Sequence, residues 1–585
     1  MLTRTGILRT FTIRKLLGYL PQFLGFAYKT FPLVRVVLGL TLLMVVLEYS
    51  TLSLMVPLVQ GSVRVASTSG GAVGAFWNRV AQFVGLPVSQ RTWLWMFLVL
   101  LAARITVGYA QLTLNVFVAK QIHAFLSDKV MKRVVAQEPL AKIYQRTIGY
   151  YVSLAGDETS KAGNIFLSVG QLLGSVLSAM AGFVVLYSFS PLAFAMTSAF
   201  IAVCALLLSQ GMGTIMRLSS QSLVLSRSLN THFIETLNGL RSIRSLSAER
   251  FVVESYRDQI RRYVRQLFKI DALNQGYKAA PALILVLVGI VWLWPSSAAS
   301  GPASPVFFFA LTTMLIRILT SLGEFVLAGG KLVVDIRASQ DAGELLGKSS
   351  EEAHDIHRRD LNQQIRLIEV RNVVCGYNGG KAVLKGVSCT FEAGKSYAIV
   401  GKSGAGKSTL ADILLAMLPI SAGTILIDGI PIESIDEKSL RSRIILVEQQ
   451  TRIFTGSLRD NVTVGLTSQD REITASMVDA GLGEHLGGLV RGLETVVDYQ
   501  GSNISGGQRQ RLGITRALIR EPDVLILDEC TSAVDSATRK SLVETLCSRF
   551  SSRILIFITH DREVMSAVHE VWHFRDGLLE HGVRG

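Results

Sequence analysis

The sequence predicts a multi-domain protein in which an all-α domain of six membrane-spanning helices precedes an α/β domain with a mostly parallel sheet. Six long apolar stretches lie within residues 1–336, and short β-branched runs alternate with helical stretches in residues 366–585. The excess of basic charge is confined to the apolar part. Residues 337–365 are polar and predict a linker.

The apolar stretches approach the roughly 20 residues that a helix needs to cross a bilayer. A buried core helix is the alternative for any one of them, but six at regular intervals favour membrane spans. The fifth has a short apolar core, so we expect its helix to begin earlier, near Ala272. The stretches are Leu33–Val59, Thr92–Val118, Gly163–Ser188, Pro191–Gly211, Pro281–Pro295 and Pro305–Leu327.

Charge is distributed unevenly along the 585 residues, although the whole chain carries +15. Residues 1–365 hold 34 basic and 18 acidic residues, a balance of +16, whereas residues 366–585 hold 25 and 26, a balance of −1. Basic residues concentrate in alternate loops of the apolar part, as the positive-inside rule requires. This pattern predicts cytoplasmic N- and C-termini and argues against nucleic-acid binding.

Two further features bear on location. The N-terminal segment has no short apolar core with a small-residue cleavage site, so we expect no cleaved signal peptide and a bacterial inner membrane. Five cysteines in 585 residues are too few for a disulfide scaffold.

A glycine-rich segment after the strand Ser396–Val400 fits the P-loop pattern. Its backbone N–H groups and the start of the next helix would hold phosphates, with Lys407 on the β- and γ-phosphates and Ser408 on Mg²⁺. The predicted ATP-binding residues here are Gly401, Lys402, Ser403, Gly404, Ala405, Gly406, Lys407, Ser408 and Thr409.

A second element is the apolar run Val524–Leu527, which ends in two carboxylates, Asp528 and Glu529. Asp528 suits Mg²⁺, and Glu529 suits the polarising of an attacking water. An apolar run ending in Asp-Glu is a weak signal alone, but about 120 residues after a P-loop it becomes strong.

Between these elements lies Ile504-Ser505-Gly506-Gly507-Gln508. With this motif, nearly the whole chain resembles ATP-binding-cassette (ABC) transporters, of the exporter type (type IV) with six spans fused ahead of one nucleotide-binding domain. The family's signature has Leu where Ile504 stands. The resemblance implies that Ser505, Gly506, Gly507 and Gln508 face the γ-phosphate of ATP held by a partner subunit's P-loop.

The resemblance also implies roles for four other side chains. Tyr377 would stack on adenine, Gln449 would contact Mg²⁺ and the membrane domain, Asp535 would belong to a loop crossing the dimer interface, and His560 would bind the γ-phosphate. Gln450 competes with Gln449 for its role. The predicted catalytic residues are Glu529, His560 and Gln449, and the predicted Mg²⁺ ligands are Ser408, Gln449 and Asp528.

Two positions depart from the common family pattern. Asp498-Tyr499 stands where exporters often carry Gly-Glu, so the coupling between domains could differ in detail. Cys530 follows Glu529, and we interpret it as a buried small hydrophobe and not as a redox switch.

Two cytoplasmic segments resemble the turns that transmit ATP hydrolysis to the spans in the family. The first is Gly156-Asp157-Glu158, and the second is Glu235–Gly239 with Ser247–Glu249 further on. Solvated loops with incidental charges are the alternative for both.

Four charged residues fall inside or near the ends of predicted spans: Glu48, Arg104, Arg317 and Glu324. Such charges usually face a cavity or one another. They would line the substrate cavity and contact an anionic or zwitterionic group, or they would hold the bundle together as salt bridges. The outer segment Phe76–Val84 has apolar residues at helical spacing and is either an amphipathic helix on the outer leaflet or a packed loop.

The sequence therefore predicts an ATP- and Mg²⁺-dependent exporter or flippase, a multi-pass protein of the inner (cytoplasmic) membrane. Its expected partners are a second copy of the chain, with a heterodimer left open, membrane lipid, and an amphipathic cargo such as a lipid, a lipid-linked glycan or a hydrophobic peptide. Alternatives are a drug or peptide efflux pump, an ATP-gated channel or regulatory subunit, and a soluble ATP-binding-cassette protein.

Overall fold

The computed structural model describes residues 13–62, 72–136, 143, 146–189, 191–293, 316–332, 334–336, 359–376, 382–530 and 535–582. These residues form two compact units that divide near residue 350. The first unit is helical, and the second combines strands and helices. The predicted order of an all-α region followed by an α/β region is confirmed.

The described part of the first unit consists mainly of long helices. Its elements are α1 (Ile13–Thr30), α2 (Leu33–Ser62), α3 (Ala72–Phe83), α4 (Gln90–Ala136), α5 (Ile148–Ser153), a π-helical turn (Leu154–Glu158), α6 (Thr159–Phe189), α7 (Pro191–Asn238), α8 (Leu240–Ser245) and α9 (Glu249–Leu293). Residues 316–332 form a further helix, called the final helix below.

Within the described residues, three segments are long and apolar enough to cross a membrane: Leu33–Met55, Gln90–Ala136 and Ile148–Val184. They contain or overlap the first three predicted spans. The fourth and fifth predicted spans lie in α7 and α9, apart from the last two residues of the fifth, and residues 305–315 of the sixth lie outside the described residues. At 1.5 Å per residue, the 47-residue α4 is far longer than the ~30 Å hydrocarbon core, so it continues beyond the bilayer.

One buried apolar cluster joins α1, α2, α4, α6 and the final helix, and it includes Phe23, Val34, Ile122 and Ile165. Helices α4 and α6 approach closely at Gly163, where a Cβ would lie 2.3 Å from the carbonyl oxygen of Ala119. A side chain there would force the two backbones apart.

The outer segment Phe76–Val84 is largely helical, because α3 covers it up to Phe83. Trp77 packs with Leu54 and Trp93, and its indole N–H donates to the Ser53 hydroxyl at 3.0 Å. Phe83 on the same helix is 93% exposed. The segment is therefore a helix and not a packed loop, with Trp77 packed on one side and Phe83 exposed on another.

The second unit contains strands β1 (Leu367–Gly376), β2 (Ala382–Glu392), β3 (Ser396–Gly401), β4 (Ala422–Ile427), β5 (Ile430–Pro431), β6 (Ile444–Val447), β7 (Gly456–Ser457), β8 (Val496–Val497), β9 (Val524–Asp528), β10 (Ile554–Ile558), β11 (Glu570–Arg575) and β12 (Leu578–Gly582). Its helices are α10 (Lys407–Leu414), α11 (Glu437–Arg443), α12 (Leu458–Thr463), α13 (Asp470–Asp479), α14 (Gly483–Gly487), α15 (Gly506–Leu518), α16 (Ser536–Arg549) and α17 (Arg562–Ala567).

The central sheet has the strand order β12-β11-β3-β10-β9-β6, and only the β11–β12 pair is antiparallel. A second, antiparallel sheet has the order β2-β1-β4-β5. Along β10, Ile554 and Ile556 join the cluster between the two sheets, whereas Leu555 and Phe557 join the cluster with α15 and α16. Burial on both faces explains the continuous apolar run in the sequence.

Replacing Gly163 by Ala tests the close packing of α4 and α6. We expect a stability loss of about 1–3 kcal/mol, because the new methyl group overpacks a backbone contact. The measurement is the thermal unfolding midpoint of the purified protein in detergent. Gly39→Ala is the matched control, since a Cβ at Gly39 meets nothing within 4 Å. Equal midpoints for the two variants would contradict the packing.

Candidate nucleotide-binding site

The P-loop connects the end of β3 to the start of α10, and its glycines are required by geometry. A Cβ on Gly401 would lie 2.6 Å from the Phe574 carbonyl oxygen, and one on Gly406 would lie 2.8 Å from Leu384 Cδ2. Gly404 and Gly406 have φ of +79° and +117°, which favour glycine. The loop therefore curls tightly in front of the N-terminus of α10, a geometry suited to binding phosphate.

Lys407 is buried at the first position of α10, and its ammonium group turns back over the loop. Nζ donates to the carbonyl oxygens of Gly401 at 2.8 Å and Lys402 at 3.0 Å. These contacts hold the cation beside the loop, where a phosphate would bind. Ser403 and Ser408 are exposed, whereas Thr409 is buried.

Ser408 and Asp528 come from different elements and meet directly. The Ser408 hydroxyl donates to Asp528 Oδ2 at 2.8 Å. Burial raises the pKa of the Asp528 carboxyl above its usual range, while the bond from Ser408 opposes that shift. A hydroxyl and a carboxylate at this place are the oxygen ligands that Mg²⁺ prefers, so the pair fits the predicted metal.

Glu529 lies just beyond the end of β9 and contacts both other predicted catalytic residues. Its Oε2 accepts a hydrogen bond from Gln449 Nε2 at 2.6 Å, and its Oε1 lies 3.6 Å from His560 Nδ1. His560 follows β10 and is 74% exposed. The structure thus brings Glu529, Gln449 and His560 together, and this contact favours Gln449 over Gln450 for the predicted role.

The backbone of Glu529 is left-handed, with φ of +49°, which is costly for a residue with a side chain. Its N–H donates to the Ile558 carbonyl oxygen at 2.9 Å. Cys530 beyond it is buried, and burial raises the pKa of its thiol. Its Sγ lies 3.0 Å from the Val447 carbonyl oxygen, as expected for a small packing residue.

The signature segment forms the N-terminus of α15. Ser505 is the N-cap and makes a capping box with Gln508: the Gln508 N–H donates to Ser505 Oγ at 3.3 Å, and the Ser505 N–H donates to Gln508 Oε1 at 2.9 Å. Arg509 Nη1 donates to the carbonyl oxygens of Gly501 and Ile504. Gly506 and Gly507 thus open a helix whose preceding turn is fixed, a feature that sequence reasoning missed.

The structure describes only some of the remaining residues that the sequence analysis singled out. Tyr377 and residues 532–534 lie outside the described residues. Asp535 is the N-cap of α16, and its pKa is held below the usual range because it accepts hydrogen bonds from Thr538. Asp498 is exposed, and its N–H donates to Asn503 Oδ1 at 3.1 Å.

The first predicted coupling turn differs from a solvated loop. Gly156 and Asp157 are exposed, but Glu158 is fully buried and accepts hydrogen bonds from Arg227 Nε at 3.1 Å and Nη2 at 2.5 Å. Arg227 also lies over the Tyr150 ring. The turn is therefore fastened to α7, and its π-helical geometry is of a kind often found at functional positions.

The second predicted coupling region lies where α7 gives way to α8 and α9. Glu235 is exposed, and its carbonyl oxygen accepts the Gly239 N–H at 2.9 Å. Ser247 has φ of +50° and separates α8 from α9. The helical chain is thus interrupted at Gly239 and again at Ser247, and the short helix α8 connects the long helices α7 and α9.

Comparison with known proteins agrees with this geometry. The family model described as ABC transporter matches residues 384–532, and that described as ABC transporter transmembrane region matches residues 64–337. The second unit combines a parallel sheet, a P-loop, a carboxylate pair at the end of β9 and a signature turn, and long apolar helices precede it in the sequence. These features define a membrane protein with an ABC-type nucleotide-binding domain.

Two curated relatives show the extent of the similarity. The "ATP-dependent lipid A-core flippase" of Desulfotalea psychrophila is 28% identical over 60% of this chain and 61% of its own length. "Heterocyst differentiation ATP-binding protein HepA" of Nostoc sp. is 28% identical over 78% of this chain and 76% of its own. The chain therefore aligns with about three fifths of the flippase.

Among solved structures, a bacterial Atm1-family ABC exporter with ATP bound has the same fold. Its TM-score is 0.78 at 21% identity, over 94% of this chain and 95% of that one. Because the two ABC transporter models together match residues 64–337 and 384–532, the chain belongs to the ABC transporter family, with one transmembrane domain fused to one nucleotide-binding domain.

Exchanging Glu158 for Gln tests the buried ion pair at the first turn. Because the change leaves the partly buried Arg227 without its carboxylate, we expect a loss of up to about 3–5 kcal/mol of stability. The thermal unfolding midpoint measures it, with Asp157→Asn as the exposed control. The double variant E158Q/R227Q should recover part of the loss. Identical midpoints for E158Q and D157N would show that the pair contributes nothing.

Proposed function

We propose that this protein is an ATP-driven exporter or flippase of an amphipathic molecule, acting as a dimer in the cytoplasmic membrane. The observation that carries the proposal is the contact of Glu529 with Gln449 and His560, beside the Ser408–Asp528 pair. A carboxylate so held can orient and polarise a water molecule for attack on a phosphate.

The other predicted site residues would bind the phosphates, the metal ion and the adenine ring of ATP. Lys407 and the N–H groups of the P-loop bind the β- and γ-phosphates, and the Gln449 amide orients the Glu529 carboxylate. Mg²⁺, held by Ser408, Asp528 and Gln449, would neutralise phosphate charge when bound. Tyr377 would stack on the adenine ring.

The signature turn supports a dimer. The Ser505 turn, with Gly506 and Gly507 at a helix N-terminus, offers N–H groups to an anion. We propose that it contacts ATP bound to the P-loop of a second copy, with Asp535 near the interface. A heterodimer with a related chain is the alternative.

The cargo and orientation are proposed from separate observations. Relatives named as lipid A-core flippases support a lipid or glycolipid cargo. The basic residues of the cytoplasmic segments support N- and C-termini on the cytoplasmic side, in a bacterial inner membrane.

Glu529→Gln tests the function directly. Because Gln keeps the shape but cannot accept a proton, we expect ATP hydrolysis to fall by at least about 100-fold while ATP binding persists. ATPase rate and nucleotide binding are measured on the purified full chain in lipid nanodiscs. Glu544→Gln, on the exposed face of α16, is the matched control.

An unchanged ATPase rate in E529Q would refute the role of Glu529. A separate measurement distinguishes a pump from a channel: lipid movement in proteoliposomes should require ATP and stop in E529Q. Movement that continues without hydrolysis would favour a channel.

A further inference from the structure

Three charged side chains from separate helices meet within the first unit, and we call them the Glu48 triad. Glu48 of α2 is 3% exposed, and its Oε1 accepts hydrogen bonds from Arg104 of α4 at 3.2 Å and from Arg317 of the final helix. Glu324, about two turns beyond Arg317 along the final helix, is exposed. The predicted alternatives for these residues were a salt bridge and an anion-binding surface.

The triad lies at bilayer depth. Glu48 follows Leu33 by 15 residues and Arg104 follows Thr92 by 12, which places them about 22 Å and 18 Å along their spans. Both heights fall within a hydrocarbon core of about 30 Å. Charge is costly there and usually finds a partner.

The triad has more positive charge and more donors than its carboxylate can match. Two guanidinium groups and one carboxylate leave a net charge of +1. Ten guanidinium N–H groups face a carboxylate with about four acceptor positions, one of which is taken by the Ser178 hydroxyl at 3.3 Å. Among the described residues, Arg317 Nε has no acceptor.

The positive groups are also the accessible ones. The side chains of Arg104 and Arg317 are 29% and 27% exposed, whereas Glu48 is buried. The Ser321 hydroxyl donates to the Ser178 hydroxyl at 3.1 Å, and Ser178 in turn donates to Glu48 Oε2. These two hydrogen bonds hold the second oxygen of the Glu48 carboxylate in place. An incoming anion would therefore meet the guanidinium groups and not the carboxylate.

We propose that Arg104 and Arg317 bind the anionic headgroup, a phosphate or carboxylate, of the transported amphiphile. Glu48 is the internal carboxylate that pairs with both arginines and competes with the cargo for them. This assignment rests on the proposed export function and narrows its cargo to an anionic amphiphile. Two guanidinium groups suit such a headgroup, because each offers paired N–H donors in one plane.

A charge series separates this role from a purely structural one. The net charge of the triad is +1 in the natural protein, +2 in E48Q, zero in R317Q and +1 in the double variant E48Q/R317Q. Purified full chain in phosphatidylcholine nanodiscs is titrated with phosphatidylglycerol, and both ATPase stimulation and lipid binding by native mass spectrometry are measured.

We expect the half-maximal mole fraction of phosphatidylglycerol to fall several-fold in E48Q. In R317Q it should rise about tenfold, the effect of one lost charge-assisted contact. The double variant should return close to the natural value. Lys132→Gln, which breaks an exposed pair on the same helix as Arg104, is the matched control and should leave the curve unchanged.

Parallel shifts of E48Q and R317Q in one direction, with no recovery in the double variant, would show that the triad only braces the helices. Inorganic phosphate alone should not stimulate the ATPase, and equal stimulation by it would exclude an amphiphile as the ligand. Because mass spectrometry detects lipid without turnover, a flat charge series in an active ATPase overturns this assignment alone. An inactive ATPase with an intact charge series overturns the proposed function alone.

Discussion

The nucleotide site depends on the parallel register of β3, β10 and β9. Ile558 of β10 pairs with Ile399 of β3 on one side and with Asp528 of β9 on the other. Because the carboxyl ends of parallel strands meet at one edge, the P-loop, the carboxylate pair and His560 all emerge there. Backbone hydrogen bonds between apolar strands, rather than attraction among the catalytic groups, set their separation.

That register also accounts for the conformation of Glu529. A left-handed backbone costs an L-residue about 1–2 kcal/mol, and the bond from its N–H to Ile558 helps to offset that cost. In this conformation the Glu529 carboxylate contacts Gln449 and His560. Local strain thus persists because β9 holds the chain before Glu529 and the bond to Ile558 holds its N–H group.

Much of this architecture could be predicted from the sequence, since its signals are local. The P-loop spacing, the apolar run before Asp528 and the lengths of the first three spans each lie within a single segment. Contacts between distant segments could not be predicted. Glu158 was predicted to lie in a cytoplasmic coupling turn, but its burial could not be predicted, because its partner Arg227 lies 69 residues away on α7. Likewise, nothing local indicated that Arg317 pairs with Glu48.

The nucleotide site and the Glu48 triad each concentrate net charge of one sign. In the nucleotide site, the neighbouring carboxylates of Asp528 and Glu529 concentrate negative charge at the end of β9, which suits a divalent cation. In the Glu48 triad the balance is +1 and suits an anion. In each place burial weakens solvation by water, so the excess charge favours a ligand of opposite sign over hydration. The sign of the imbalance therefore indicates ligand chemistry at both sites, even though one site was recognisable from its motif and the other only from its packing.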